Sequence, residues 1–294
     1  MARIHGRAVG QHDEARRWWR ALAALLVVIG SSFSATRAEA IIGGQLTGPT
    51  YSNVGFLSIH SGAAVWWCSG TLIAPTVVVT AAHCTGGEFP VDRIEISFAP
   101  HVENGPTFEL LGPSIEGTAS FDPRYLQPTK QGGTKGFITK SAFDLGIVIL
   151  DRPAAEVFPG IVAARLPPIG LVDAVAASAK GKRNNPFTSV GYGLTRAPNS
   201  NPNVTIFTGD RRMATPPIGH VEPALLFLKG NANAAWGDGG TCFGDSGGPV
   251  FEGSGPVILA VFSFLQDPCH NLEGNVRLDT PSARSFLGQF VVLP

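Results

Sequence analysis

From Val54 onward, short apolar runs of strand length recur between turn residues, and none of them carries a convincing helical period. That punctuation constrains the fold more than any other feature. The runs are 54–60, 65–73, 77–80, 94–98, 145–150, 225–228 and 257–264. Gly (36) and Pro (23) exceed average usage while charged residues fall to 15%, as turns joining buried strands require. The 294 residues suffice for one large all-β domain or two small barrels packed together. One helix is expected, over 282–291, opened by Thr280 as N-cap and Pro281 at the first helical position. Polar Gly- and Pro-rich stretches at 127–136, 179–186 and 197–203 read as surface loops, the middle one roughly dividing two strand-rich halves. Asn203-Val204-Thr205 is a glycosylation sequon if the source organism glycosylates.

The first forty residues are different in kind. Arg3, Arg7, Arg16, Arg17 and Arg20 precede an uncharged stretch whose apolar heart, 21–30, is too short to span a bilayer comfortably. It ends in Ala38-Glu39-Ala40, which fits the A-x-A rule for signal peptidase, so residues 1–40 are expected to be a signal peptide and the protein secreted, extracellular or periplasmic. An uncleaved membrane anchor is the rival, and Arg16-Arg17 also admits a twin-arginine export signal. Setting those residues aside removes six Arg and three acidic side chains from 22 of each, leaving 16 basic and 19 acidic, a net charge of −3. No basic run remains to bind nucleic acid by counterion release.

Four cysteines, Cys68, Cys84, Cys242 and Cys269, lie beyond the leader, and an even number in an exported chain suggests two disulfides. Three pairings are possible; the two local bridges, Cys68–Cys84 and Cys242–Cys269, would each stabilise by about 3 kcal/mol in the loop-entropy picture. No C-x-x-C or His-rich spacing supports a zinc site, and no metal or cofactor is expected.

Hydrolysis of a peptide bond by a hydroxyl needs a Ser, a neutral imidazole to remove its proton and a buried carboxylate to orient that imidazole. Ser246 sits in Gly244-Asp245-Ser246-Gly247-Gly248-Pro249, where glycines permit backbone angles that turn the N–H groups of Gly244 and Ser246 toward one point as an oxyanion hole. His83 follows a β-rich run in Thr80-Ala81-Ala82-His83-Cys84. Asp144 heads the apolar strand 145–150, 61 residues after the histidine and 102 before the serine. His, Asp, Ser is one of several convergent chain orders for this chemistry.

Together with Ile41-Ile42-Gly43-Gly44, Cys68-Ser69-Gly70-Thr71-Leu72 and Gly191-Tyr192-Gly193-Leu194-Thr195, these stretches resemble the signature segments of the trypsin/chymotrypsin family over 41–294, with Tyr192 where the family has Trp. The resemblance implies two packed six-stranded antiparallel β-barrels, roughly 41–155 and 156–294, a short C-terminal helix and a triad in the cleft between them. It implies the pairs Cys68–Cys84 and Cys242–Cys269, polypeptide substrates, and activation by a freed Ile41 α-amino group that pairs with Asp245. Because Ala40 directly precedes Ile41, signal peptidase itself is expected to create that N-terminus; cleavage after Ala38, followed by trimming, is the rival. In relatives the residue six before the serine lies at the floor of the primary specificity pocket. Here it is Gly240, so an apolar preference is expected rather than Arg or Lys, with Asp238 close by in sequence. Ser263-Phe264-Leu265 resembles the substrate-binding edge, with Leu265 narrowing the pocket and Gly274 leaving room on the other wall. The competing reading is a catalytically inactive homologue acting as a binding module.

Overall fold

The computed structural model describes residues 41–104, 108–127, 132–179, 186–195, 206–230, 239–267 and 269–294. The leader, the sequon and Asp238 lie outside them.

Fourteen strands and three α-helices are described. Strands β2 (Val54–Ser61), β3 (Ala64–Ala74), β4 (Val77–Thr80), β5 (Arg93–Ser97), β6 (Ile115–Phe121) and β7 (Gly146–Leu150) close into an antiparallel barrel in the order β2-β3-β4-β7-β6-β5. Leu57, Ile59, Leu72, Val78, Ile94, Ile96, Val148 and Leu150 form one cluster within it. The alternate residues of β2, Val54 and Phe56, belong instead to a cluster with Val190, Tyr192 and Phe251 of the second half. Both faces of β2 are therefore buried, which is why its run is almost continuously apolar.

The second half is an eight-stranded antiparallel sheet. Its strands are β1 (Gln45–Leu46), β8 (Phe187–Gly191), β9 (Arg212–Ala214), β10 (Ile218–Val221), β11 (Leu225–Gly230), β12 (Pro249–Glu252), β13 (Ile258–Asp267) and β14 (His270–Arg277). They run β1-β9-β8-β12-β13-β14-β11-β10, an order that does not close among the described residues, and this sheet stands as the second half of the expected two-barrel fold. Strand β1, just after Ile41, supplies one end.

The C-terminal helix, Pro281–Leu287, starts as expected: the Thr280 hydroxyl accepts from the Ala283 N–H at 3.1 Å. It ends four residues earlier than the sequence reading. Two further helices correct the expectation of a single one. The first, α1 (Gly133–Ser141), occupies part of the stretch read as a surface loop. The second, α2 (Leu171–Ala179), buries Val172, Val175, Ala176 and Ala179 against Leu226, Leu228 and Leu259, a spacing of i, i+3, i+4, i+7. The C-terminal helix is α3.

Arg211 ties the two halves together. Its wholly buried guanidinium donates to the Thr47 hydroxyl, to the carbonyls of Gly48, Thr50, Val54 and Phe98, and to the Tyr192 hydroxyl. A planar fork of donors is the group suited to that many fixed acceptors, and it anchors the segment leading out of Ile41. Among the described residues no helix is long and apolar enough to cross a membrane.

Candidate active site

Strand β4 ends at Thr80, and the buried Ala81 and Ala82 lead into one 3-10 turn, Ala82–Cys84, that carries His83. Small residues are required because β7 passes close by. A Cβ on Gly146 would lie 2.3 Å from Thr85 Oγ1 and 2.6 Å from the Ala81 carbonyl. Cys84 is bonded to Cys68 (Cα–Cα 6.3 Å) and Cys242 to Cys269 (4.6 Å), so the Cys68 and Cys84 sulfurs beside His83 are not thiolate ligands for a metal.

Asp144, immediately before β7, is 2% exposed, and both its oxygens are engaged. Oδ1 accepts from the His83 backbone N–H at 3.0 Å and Oδ2 pairs with His83 Nδ1 at 2.8 Å. The Ser263 hydroxyl donates to the same Oδ2 at 2.5 Å. Burial pushes the Asp144 carboxyl up, but His83 and these hydrogen bonds outweigh it and hold the pKa below its ordinary value. Burial likewise works against a charged His83; the field of Asp144, with a smaller one from Glu88, prevails and raises the imidazole. With Nδ1–H on Asp144, the Nε2 lone pair is free for a proton from elsewhere.

Ser246 approaches from the other half. The Ser246 carbonyl accepts from the Ser69 N–H at 2.8 Å, and Gly247 sits so tightly against β3 and β4 that a Cβ there would lie 1.9 Å from Thr80 Oγ1. Gly244 has φ +93° and its added Cβ would meet the Trp67 indole at 2.0 Å, so only glycine fits. His83, Asp144, Gly244 and Ser246 line one cavity of about 510 Å³. No hydrogen bond joins the Ser246 hydroxyl to His83 among the described residues; in resting sites of this kind such contacts are often long and tighten around substrate.

Asp245 points the opposite way, into the protein. Its carboxylate is wholly buried and accepts from the Gly193 N–H at 2.7 Å and the Cys242 N–H at 2.8 Å. Side chains at Gly191 or Gly193 would come within 2.2 or 2.3 Å of it, which explains both glycines of the Gly-Tyr-Gly stretch. Burial pushes its pKa up to about 7, and no cation pairs with it among the described residues. Ile41 is also wholly buried, with φ +39°, and Ile42 bridges to Gly240, whose N–H donates to the Ile42 carbonyl at 3.0 Å.

Leu265 lines the cavity, but the room beside Gly274 is not empty. The ring of Phe264 fills it, about where a Gly274 Cβ would be. Three participants were invisible in the sequence. Ser263, assigned only to substrate binding, is a ligand of Asp144. Glu88 accepts from the Tyr125 hydroxyl and from Lys140 of α1, both at 2.9 Å, on the rim beside His83. Phe137 of α1 is half exposed and packs edge-on to Phe264 at 5.0 Å.

A family model described as Trypsin matches residues 41–276. The chain belongs to the trypsin family of proteases. A "Trypsin" from Saccharopolyspora erythraea is 29% identical over 188 residues, covering 63% of this chain and 70% of that one. Solved structures share the fold at low identity. HL collagenase has a TM-score of 0.55 at 17% identity, covering 85% of this chain and 95% of its own. A Glu endopeptidase has 0.52 at 14%, covering 83% and 93%. A variant of human heparin binding protein (CAP37) has 0.57 at 17%, covering 85% and 95%.

Proposed function

We propose that this trypsin-family chain is a secreted serine endopeptidase whose nucleophile is Ser246, whose general base is His83 and whose orienting carboxylate is Asp144. The observation that carries the reading is the doubly engaged Asp144, bonded to the His83 ring at 2.8 Å and its N–H at 3.0 Å, in the same cavity as Ser246. His83 Nε2 takes the proton as the Ser246 oxygen attacks the scissile carbonyl; Asp144 stabilises the imidazolium so formed. The N–H groups of Gly244 and Ser246 hold the oxyanion, each worth about 3 kcal/mol in comparable sites. Collapse of the tetrahedral adduct passes the proton to the leaving amine and leaves an acyl group on Ser246. Water, deprotonated by the same imidazole, then releases the acid.

Signal peptidase cleavage after Ala40 frees the Ile41 α-amino group, which pairs with Asp245. The burial of both residues supports this, as does the raised Asp245 carboxyl that lacks a cation. Leu265 in the cavity wall, with Gly240 at the position that forms the pocket floor in relatives, supports an apolar rather than Arg or Lys preference. Fluorophosphonate labelling tests the reading: the exported protein should be labelled on Ser246 and the Ser246→Ala variant should not. A correctly folded chain beginning at Ile41 that resists the label is a binding module instead.

A further inference from the structure

Tyr192 stands where the family has Trp, and the catalytic steps leave its hydroxyl unused. The ring is wholly buried, edge-on to Phe56 at 5.9 Å. Its hydroxyl donates to the Ala99 carbonyl at 2.6 Å and accepts from Arg211 Nη1 at 3.3 Å, and the same nitrogen donates to the Phe98 carbonyl at 3.0 Å. The side chain is thus moored to the barrel half just past β5. An indole, with one N–H donor and no acceptor, would leave that guanidinium contact unmade. The backbone of the same stretch faces the other way. The Tyr192 N–H donates to the Ser69 hydroxyl at 3.0 Å, and that hydroxyl donates on to the Gly244 carbonyl at 3.0 Å. The Gly193 N–H meets Asp245 at 2.7 Å and the Leu194 N–H meets the Phe243 carbonyl at 2.8 Å. Residues 192–194 therefore hold residues 243–245 one by one. The Trp67 indole, packed against Gly244, donates to the Tyr192 carbonyl at 3.1 Å.

We propose that Tyr192 is a positioning residue for the oxyanion hole: its hydroxyl moors 192–194 to the barrel half, and that stretch, through the Ser69 hydroxyl, fixes where the Gly244 N–H points. This rests on the endopeptidase reading and adds to it a residue that touches neither substrate nor the triad. An oxyanion donor stabilises charge only at hydrogen-bond distance from where the oxyanion forms, so a small drift of Gly244 costs the transition state and spares the bound substrate. Burial pushes the Tyr192 hydroxyl up to about 12, with Arg211 working against it, so it stays a donor across the pH range of catalysis.

The test uses the full chain, exported and processed. Tyr192→Phe deletes one oxygen and keeps the ring. It is expected to lower kcat on a peptide anilide by roughly tenfold, the size of one buried hydrogen bond, with KM unchanged. A peptide boronic acid, whose tetrahedral adduct on Ser246 sets an oxygen in the oxyanion hole, should bind more weakly by the same factor, while the matching peptide amide inhibits as well as before. A purely structural role gives the opposite split, a lowered unfolding midpoint with kcat and boronate affinity intact, and that result overturns the proposal. Equal weakening of boronate and amide overturns it too. Should Tyr192→Phe fail to fold, Ser69→Ala removes the middle link: it must show the same loss of kcat and boronate affinity at unchanged KM, and wild-type values overturn the proposal. A wild type that resists the fluorophosphonate label overturns the endopeptidase reading itself, and the proposal falls with it.

Discussion

The two halves of the molecule treat their buried acids in opposite ways. In the barrel half, Asp144 is met by an imidazole, a backbone N–H and the Ser263 hydroxyl, and its pKa falls below the ordinary value although burial opposes this. In the sheet half, Asp245 and Glu273 are equally buried, have only neutral donors, and are both pushed up to about 7. Burial is the same on both sides; compensation is not. The acid of the barrel half is therefore compensated where it lies, whereas the two buried acids of the sheet half meet only neutral donors among the described residues.

The largest expected effect breaks the shared part of the site. Ser246→Ala should lower kcat on a peptide ester by about 10⁶-fold, as loss of the nucleophile does in triads generally, while leaving the unfolding midpoint nearly unchanged. Next comes the barrel half: Asp144→Asn should cost about 10⁴-fold in kcat, because an amide favours the wrong imidazole tautomer. Steady-state assays on both variants suffice, and a loss under tenfold for Asp144→Asn contradicts the assigned role.

The sheet half gives a smaller effect with a pH signature. With Ile41 and Asp245 paired as proposed, blocking the α-amino group of Ile41 should cost about 3–5 kcal/mol for a broken buried pair, or roughly 10²–10⁴-fold in activity. The sign of the stability change follows from the raised carboxyl. An acid whose folded pKa lies above its unfolded value favours the folded state while protonated, so the uncleaved precursor loses stability as pH rises from 3.8 to about 7. Chemical denaturation of a Ser246→Ala precursor should show that decline, and the same variant beginning at Ile41 should show less of it. Asp144 runs the other way: its contribution is present above the ordinary carboxyl pKa of 3.8 and is lost as pH falls through its lowered value.

The smallest effect sharpens the picture of His83. Its raised pKa sets the acid limb of kcat/KM above the ordinary histidine value of 6.5. Glu88 adds to that field from the rim, so Glu88→Gln should move the limb down by a few tenths of a pH unit, the size of a screened surface charge. An unmoved limb would show that the salt-bridged Glu88–Lys140 pair cancels itself at the imidazole.

Much of this was legible where chemistry forces residue type locally. Gly244 and Gly247 must be glycine because Trp67 and Thr80 leave no room for a Cβ, and Gly191 and Gly193 because Asp245 fills theirs, so the motif stretches stand out along the chain. Most strands of the barrel could be read from their apolar runs. The edge-rich second sheet was harder: β9 is three residues long and β14 carries Glu273, Asn275 and Arg277 among its buried residues, so neither reads as an apolar strand. Helix α2 hid in an Ala-rich stretch between loops. The contacts of Ser263, Glu88 and Glu273 are made with partners 119, 52 and 32 positions away, set by strand register and helix docking, which no local pattern encodes.

The central claim is that Ser246 and His83 perform covalent catalysis across the two halves, and trapping the acyl-enzyme tests it most directly. Protein beginning at Ile41, mixed with a peptide ester and quenched in acid within milliseconds, should carry one acyl group, mapped by mass spectrometry to Ser246. A chain that hydrolyses the ester but shows no adduct, or carries it on another residue, contradicts the account.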